Sequence, residues 1–397
     1  MKPVLLVVSN GHAEDAIGAR LMQELGVPFF YFPLVGPGRA YQGLPQGRRY
    51  GPLWDPPSGG FPFASPKNLL ADLKAGLTTS SLRQLKAAWR ARREPFKAVV
   101  AVGDAYSLLL SVLASRGGKT PLFHLQPLIS AYYLWPDGEI RPIPLFERLR
   151  RFNEIPAEDF TAFERALAAR AKAVYVRDAF TLKRARDLGM QNAEYAGSFA
   201  MDLLAPPRRP LPLGAPLVAL LPGSRADVRH SLPLMLKAAA ALAPLRSAVA
   251  WAKTFDELPH EVRARTEVES EAFAWYRPEG APPVLLARGH FSEILHAARV
   301  AVGTAGTANE QAAGLGRPVV GFPTPGPQYT RRFAERQKRL LGDALTLVEP
   351  DPKAVADAVR RLWDEGPARR RAIEAGRERI GPPGALPKIA CEIKQIF

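Results

Sequence analysis

Two stretches of this sequence combine glycine and hydroxyl residues in a way that could hold an anion. Gly303-Thr304-Ala305-Gly306-Thr307-Ala308-Asn309-Glu310-Gln311 follows the apolar run Val300-Ala301-Val302 and enters a helical pattern over residues 308–315. Leu220-Leu221-Pro222-Gly223-Ser224-Arg225 repeats the arrangement: a strand ends, glycine permits close approach, and a hydroxyl and a guanidinium follow. At a strand-to-helix turn the unpaired N–H groups and the positive end of the helix dipole attract negative charge. Arg225 would add a bidentate fork. Glu310, one turn into its helix, could accept from the paired hydroxyls of a ribose. Either stretch alone reads equally as an ordinary tight turn. Two at strand ends of one domain point to a diphosphate ligand.

Two further residues suit proton transfer. Asp104 follows the apolar run 98–102 and His12 follows the run 4–8. In open α/β sheets ligands bind beyond the carboxyl ends of the strands, so either side chain could take a proton from an attacking hydroxyl. An aspartate in that position is equally at home as a helix N-cap. The six histidines form no His-Glu-x-x-His or other metal pair, so no metal site is expected. There is no Walker motif, and no Gly-x-Gly-x-x-Gly follows the first strand. A P-loop NTPase and a nicotinamide-dinucleotide enzyme are therefore disfavoured.

The elements that must position these residues alternate between strand and helix. Strands are expected over residues 4–8, 28–34, 98–102, 121–125, 173–176 and 193–196, with a helix that follows the segment 9–15 and runs through residue 25, and further helices over 68–93, 105–115, 157–169 and 178–188. Residues 36–66 are rich in Gly and Pro and read as a long loop. That loop carries Tyr41, Trp54, Phe61 and Phe63, which would either touch a lipid interface or fold back on the core. Pro206-Pro207-Arg208-Arg209-Pro210-Leu211-Pro212 reads as a linker, and five strand-then-helix repeats follow it. The expected fold is α/β, with a doubly wound parallel sheet in each half. The expected boundaries are 1–205 for an N-terminal domain, 206–384 for a C-terminal one, and 385–397 for a final helix.

At 397 residues, 47% hydrophobic and 23% charged, the chain has the composition of a globular two-domain protein. Its single cysteine, Cys391, excludes a disulfide framework and suits a reducing cytoplasm. The apolar run at the start is too short for a signal peptide, and no membrane span is expected. The net charge of +16 fits an anionic membrane surface or a phosphorylated ligand. No nucleic-acid-binding motif accompanies it, so nucleic acid is not an expected partner.

These motifs resemble those of the lipid-A-disaccharide synthases (glycosyltransferase family 19), particularly the branch labelled lipid-A-disaccharide-synthase-related. They are more distantly similar to the peptidoglycan glycosyltransferase that adds N-acetylglucosamine to a lipid-linked precursor. Leu221-Pro222-Gly223-Ser224-Arg225 matches the family's Leu-Pro-Gly-Ser-Arg. Residues 302–310 are similar to its Ser-Gly-Thr-Ala-Thr-Leu-Glu, with an insertion. Gly11-His12-Ala13-Glu14-Asp15 stands where the family has Gly-Glu-x-Ser-Gly-Asp, with Asp15 matching the last residue. Asp104 matches the family's catalytic aspartate, and Phe146-Glu147 its Pro-Phe-Glu. In two places the chain departs from the family: Gly197-Ser198-Phe199 replaces a Gly-His-Pro, and His12 resembles the peptidoglycan enzyme's Gly-Gly-His turn.

The resemblance implies a GT-B fold, two Rossmann-like domains facing an interdomain cleft, and an inverting, metal-independent hexosyltransferase without a cofactor. A UDP-sugar donor would bind Gly223, Ser224, Arg225, Gly303, Thr304, Ala305, Gly306, Thr307, Asn309, Glu310 and Gln311. Asp104, His12 and Asp15 would form the catalytic group. Trp54, Phe61, Phe63, Phe146 and Glu147 would contact a lipid-linked or amphiphilic acceptor or the membrane. The implied location is cytoplasmic, peripheral on the inner face of the cytoplasmic membrane, with a homodimer left open. A UDP-N-acetylglucosamine 2-epimerase and a non-catalytic nucleotide-sugar-binding protein stand as alternatives.

Overall fold

The structure is a computed structural model that describes residues 4–57, 59, 66–144, 146, 158–223 and 226–397. The chain divides into two compact units. The first comprises Met1–Leu134, Ile140–Leu203 and Pro383–Phe397, and the second Trp135–Glu139 and Leu204–Pro382.

The first unit is built on strands β1 (Leu5–Ser9), β2 (Phe29–Pro33), β3 (Gly47–Arg49), β4 (Ala98–Val102), β5 (Leu122–Gln126), β6 (Ala173–Val176) and β7 (Ala193–Glu194). They form one parallel sheet in the order β3-β2-β1-β4-β5-β6-β7. The central strands are buried along their whole length, which is why β1 and β4 read as near-continuous apolar runs rather than alternating ones, while β5 buries His124 and Gln126 among its apolar residues. The final helix, Ala385–Lys394, belongs to this unit. Its start is pinned by Asp202, which accepts from the Gly384 and Leu386 amides at 2.6 and 2.7 Å. Leu386, Ile389 and Ile393 pack beside Ile17, Leu21 and Leu25 of the first helix.

The second unit contains β8 (Leu217–Leu221), β9 (Ser247–Trp251), β10 (Thr266–Val268), β11 (Phe273–Tyr276), β12 (Val284–Arg288), β13 (Ala298–Gly303), β14 (Val319–Gly321) and β15 (Leu345–Leu347). Their order is β10-β11-β12-β9-β8-β13-β14-β15. In each unit the chain runs outward from a first strand (β1 or β8), then returns to that strand's other side (β4 or β13). These reversals are the switch points at which doubly wound sheets open a crevice for ligands.

The structure departs from the sequence reading in three places. Residues 36–66 are not all loop: a helical turn (Arg39–Gln42) and the edge strand β3 lie within them. Gly47-Arg48-Arg49 has no apolar pattern to betray a strand. It is held by pairing with β2 and by Arg49 Nη1 donating to the Pro37 carbonyl at 2.8 Å. The helix expected over 68–93 is two, Pro66–Lys74 and Leu77–Ala91, broken where Gly76 adopts φ +91°. The second sheet also carries an antiparallel edge, β10–β11, whose exposed Glu267 pairs with Arg277 at 2.6 Å. The strand Thr266–Val268 is only three residues long and carries Glu267, so no hydrophobicity pattern marked it.

Candidate functional site

In the second unit the two glycine turns lie side by side. β8 and β13 are hydrogen-bonded neighbours with Leu221 opposite Gly303. The Thr304 amide donates to the Leu221 carbonyl at 3.1 Å, and Thr304 Oγ1 donates to the Pro222 carbonyl at 3.4 Å. Gly223 has φ +78°, and a Cβ there would stand 3.5 Å from the Ala305 Cβ. A side chain at 223 would thus both strain the backbone and fill the space between the turns. The helix Gly306–Gly314 starts at this point with no side-chain cap, so its first N–H groups face the space beyond the strand ends.

The candidate residues on this helix divide by burial. Thr307 is exposed, and Ala305, Gly306 and Glu310 are half-buried on the outer side of the turn. Thr304, Asn309 and Gln311 are buried. Asn309 braces the turn from within, its amide donating to the Gly303 carbonyl (3.2 Å), the Tyr329 hydroxyl (3.2 Å) and Gln337 Oε1 (2.8 Å). A Cβ on Gly303 would fall 1.8 Å from Asn309 Oδ1, so glycine there is a packing requirement. Ser224 and Arg225 lie outside the described residues.

Sequence reasoning missed the support behind these turns. Asp227, buried two residues past Arg225, accepts from Thr324 Oγ1 at 2.6 Å and from the Tyr329 amide at 2.7 Å. It fastens the 324–329 loop to the start of the helix Val228–Ala241. Gln337 continues the network, accepting from the Tyr329 hydroxyl at 2.7 Å and donating to the Gly306 carbonyl at 2.9 Å. These partners lie far apart in sequence, and no local motif announces them.

The first unit has an acidic counterpart at its own switch point. Asp104 N-caps the helix Ala105–Ala114, with Oδ1 accepting from the Tyr106 and Ser107 amides at 3.0 and 3.1 Å. Gly103, at φ +130°, leaves room for Asn10: a Cβ there would lie 1.9 Å from Asn10 Oδ1. Burial raises the Asp104 carboxyl above the usual aspartate range, and its two amide partners and the Asn10 side chain oppose that shift. Beside it, Glu14 is buried without a cation and is pushed up to about 7 by desolvation, with the Asp104 and Asp15 charges adding to the effect. Asp15 accepts from Ser9 Oγ at 2.6 Å, and burial raises it to about 6. Ser9 Oγ also meets the Tyr41 hydroxyl at 3.0 Å, so Asp15 sits at the inner end of a buried chain.

His12 is the first residue of the helix His12–Leu25 and is exposed. Its ring borders Gly36, where a Cβ would approach Cε1 to 3.3 Å. His124, which suggested nothing in the sequence, is fully buried. Its Nε2 lies 3.0 Å from the Gly103 carbonyl, and burial lowers it to about 4, so it stays neutral at physiological pH. Glu14 is the chemically notable residue that sequence reasoning passed over. Its signal was a second carboxylate beside Asp15 on a helix following a fully apolar strand. Among the described residues no group of three or more His, Cys, Asp or Glu side chains is placed to hold a metal ion.

The candidate acceptor residues are less gathered. Trp54 is half-buried, and its carbonyl accepts from the Gly36 amide at 2.6 Å. Phe146 is 79% exposed. Phe61, Phe63 and Glu147 lie outside the described residues. No helix among the described residues is long and apolar enough to cross a membrane.

No family model matches the chain. Over 337 residues it is 25% identical to the lipid-A-disaccharide synthase of Myxococcus xanthus, a match covering 77% of each protein. Its fold is similar to that of CalG4, the calicheamicin glycosyltransferase (TM-score 0.60, 16% identity, 100% of this chain and 98% of that one). It is also similar to the kitacinnamycin glycotransferase (0.59, 16%, 100% of both). The UDP-GlcNAc 2-epimerase of Neisseria meningitidis, solved bound to UDP-GlcNAc, is similar at 0.57 and 12%, over 99% of this chain and 100% of that one. The two parallel-sheet units are those of the GT-B fold, which glycosyltransferases of this kind adopt.

Proposed function

We propose that the protein is an inverting, metal-independent glycosyltransferase that moves a hexose from a UDP-sugar to the hydroxyl of a lipid-linked or amphiphilic acceptor. The observation that carries this reading is the pair of glycine turns abutting at the β8/β13 switch point, where Gly223 meets Ala305 and an uncapped helix begins. In this reading the diphosphate lies across the Gly223 and Ala305–Thr307 turns with Ser224 and Arg225, and Glu310 holds the ribose. Thr304, Asn309 and Gln311 keep the turn in shape. The likeness to the Myxococcus xanthus lipid-A-disaccharide synthase supports a glycolipid acceptor.

Asp104 is the proposed base. Burial raises both Asp104 and Glu14, but the two amide N–H groups on Asp104 favour its ionised form and oppose that shift, which supports Asp104 as the proton acceptor of the two. The acceptor oxygen forms a bond to the anomeric carbon as the bond from that carbon to the diphosphate breaks. The proton passes to Asp104, and the charge developing on departing UDP is met by the helix N-terminus and Arg225. His12, at the rim, is the second candidate base.

Peripheral contact with an anionic membrane fits the outer face of the helices Pro66–Lys74 and Leu77–Ala91. Leu70, Leu73, Leu82 and Trp89 are 43–66% exposed there, with Arg83, Lys86, Arg90 and Arg93 also exposed among them. Apolar side chains interleaved with cations are the composition of an interfacial helix.

Thermal unfolding with UDP, UDP-N-acetylglucosamine, UDP-glucose, GDP and ADP tests the donor half. A uridine ligand at about 100 times its Kd adds about 2.7 kcal/mol and raises the midpoint, whereas GDP and ADP do not. No shift with any nucleotide would overturn the reading. The 2-epimerase alternative separates by product: it converts the UDP-sugar without acceptor and frees no UDP.

A further inference from the structure

The second unit carries another concentration of positive charge, at the opposite end of the same sheet. An open pocket of about 400 Å³ is bordered by Ala215, Pro216, His296, Arg299, Arg317 and Arg369. Residues 215 and 216 lead into β8, Arg299 stands near the start of β13, and Arg317 precedes β14. The pocket thus lies at the amino ends of the strands whose carboxyl ends carry the glycine turns. Five residues of β8 place about 16 Å between the two.

The pocket is constructed from backbone irregularity as well as charge. The β8–β13 register slips between Ala298 and Val300, so Arg299 is the bulged residue. Its carbonyl accepts from Arg369 Nη1 at 2.9 Å, and its guanidinium reaches the Trp363 carbonyl (2.5 Å) and Glu365 (2.6 Å). Arg369 is 5% exposed, and its Nη1 also donates to the Leu362 carbonyl at 3.0 Å. Arg317 Nη2 donates to the His296 carbonyl at 3.0 Å. The Nε groups of both Arg317 and Arg369 are buried and make no hydrogen bond, that of Arg369 facing Glu365 Oε1 at 3.6 Å. Glu365 is the carboxylate that reaches this group, 2.6 Å from Arg299 and 3.6 Å from Arg369, and its own side chain is 69% exposed. Burial holds the Arg317 and Arg369 guanidiniums below their usual range; the Arg377 charge adds to the effect at Arg317, and the Arg299 and Arg317 charges add to it at Arg369, where Glu365 opposes them. Buried donors without acceptors, and like charges facing one another, are costly unless an anion completes them.

We propose that this pocket binds a small phosphate-type oxyanion, held by Arg299, Arg317 and Arg369, at a site separate from the nucleotide turns. Guanidinium forks match the edges of a tetrahedral oxyanion. The pocket has room for a mono- or diphosphate with water. The phosphate is either free or the headgroup of a larger molecule, and the test separates the two.

Isothermal titration with inorganic phosphate and pyrophosphate, against chloride at matched ionic strength, measures the site directly. Vesicles with and without phosphatidic acid provide the headgroup arm. Arg299→Gln and Arg317→Gln should each weaken binding about tenfold, the scale of one lost charge-assisted hydrogen bond. Glu365→Gln should tighten it several-fold by removing the competing carboxylate, and the exposed Lys237→Gln should leave it unchanged. If Arg317→Gln does not fold, Glu365→Gln still decides, because that side chain is mostly exposed. Binding of free phosphate that follows this pattern supports a soluble ligand. Vesicle capture alone, lost in Arg299→Gln, supports a headgroup. The proposal falls if neither probe binds beyond chloride, if all variants bind alike, or if Glu365→Gln weakens binding. UDP binding is read in parallel and should not change, so failure here is distinct from failure of the donor site.

Discussion

Asp104 and Glu14 share one small volume, and their different partners set their expected behaviour. Burial raises both, but Asp104 receives two amide N–H groups that oppose the shift, whereas Glu14 rises to about 7. Asp104→Asn keeps the N-cap acceptor and removes the base. Turnover should fall by about 10²–10⁴-fold while the thermal shift with UDP is retained; unchanged turnover would transfer the role to His12. Glu14 also makes a pH prediction. Its folded value near 7 lies above the 4.5 of an unfolded glutamate, so between these values the folded protein holds more protons. Stability contributed by the neutral carboxyl is therefore complete below about pH 4.5, declines as pH rises and is lost above about 7. Glu14→Gln, which cannot ionise, should match the wild type near pH 4.5 and exceed it near pH 8 by up to about 3 kcal/mol. Urea unfolding of both proteins at the two pH values checks this.

At the scale of elements, both switch points use the same device, a glycine ending a strand against an asparagine oxygen: Gly103 against Asn10, and Gly303 against Asn309. Asn309→Ala removes three donated hydrogen bonds inside the second unit and should destabilise it by about 1–3 kcal/mol. Gly223→Ala tests function more than stability. It asks a left-handed backbone of an ordinary residue, costing about 1–2 kcal/mol, and places a methyl between the turns. The expected outcome is a folded protein, lowered slightly in midpoint, that no longer shifts with UDP.

For the whole molecule the large positive charge is the dominant physical property, at +16 over 397 residues. If the exposed Leu70, Leu73, Leu82 and Trp89 face meets a bilayer, the protein should float with vesicles containing anionic lipid and remain behind with neutral ones. Raised salt should weaken the capture. Replacing Leu82 and Trp89 together by Glu should abolish flotation and leave UDP binding intact. Flotation unaffected by that double change would place the contact elsewhere.

What the sequence determined by itself was the alternation of buried strands and helices, and hence the doubly wound class. Parallel strands covered on both faces must be apolar throughout, so residues 98–102, 173–176 and 217–221 announce themselves from composition alone. Turn chemistry was equally local, and Gly223 and residues 303–307 were visible as candidates because glycine and hydroxyl residues cluster there. Tertiary structure decided which of those side chains are available. It turned Asn309 inward to Tyr329 and Gln337, left Thr307 exposed, and supplied Asp227 as the clasp on the 324–329 loop. It also buried Glu14 beside Asp104 and raised its proton affinity, and it brought Arg299, Arg317 and Arg369 from three separate elements to one pocket. Each of these facts depends on pairing between residues distant in sequence and on the desolvation that follows, neither of which is encoded in any local window.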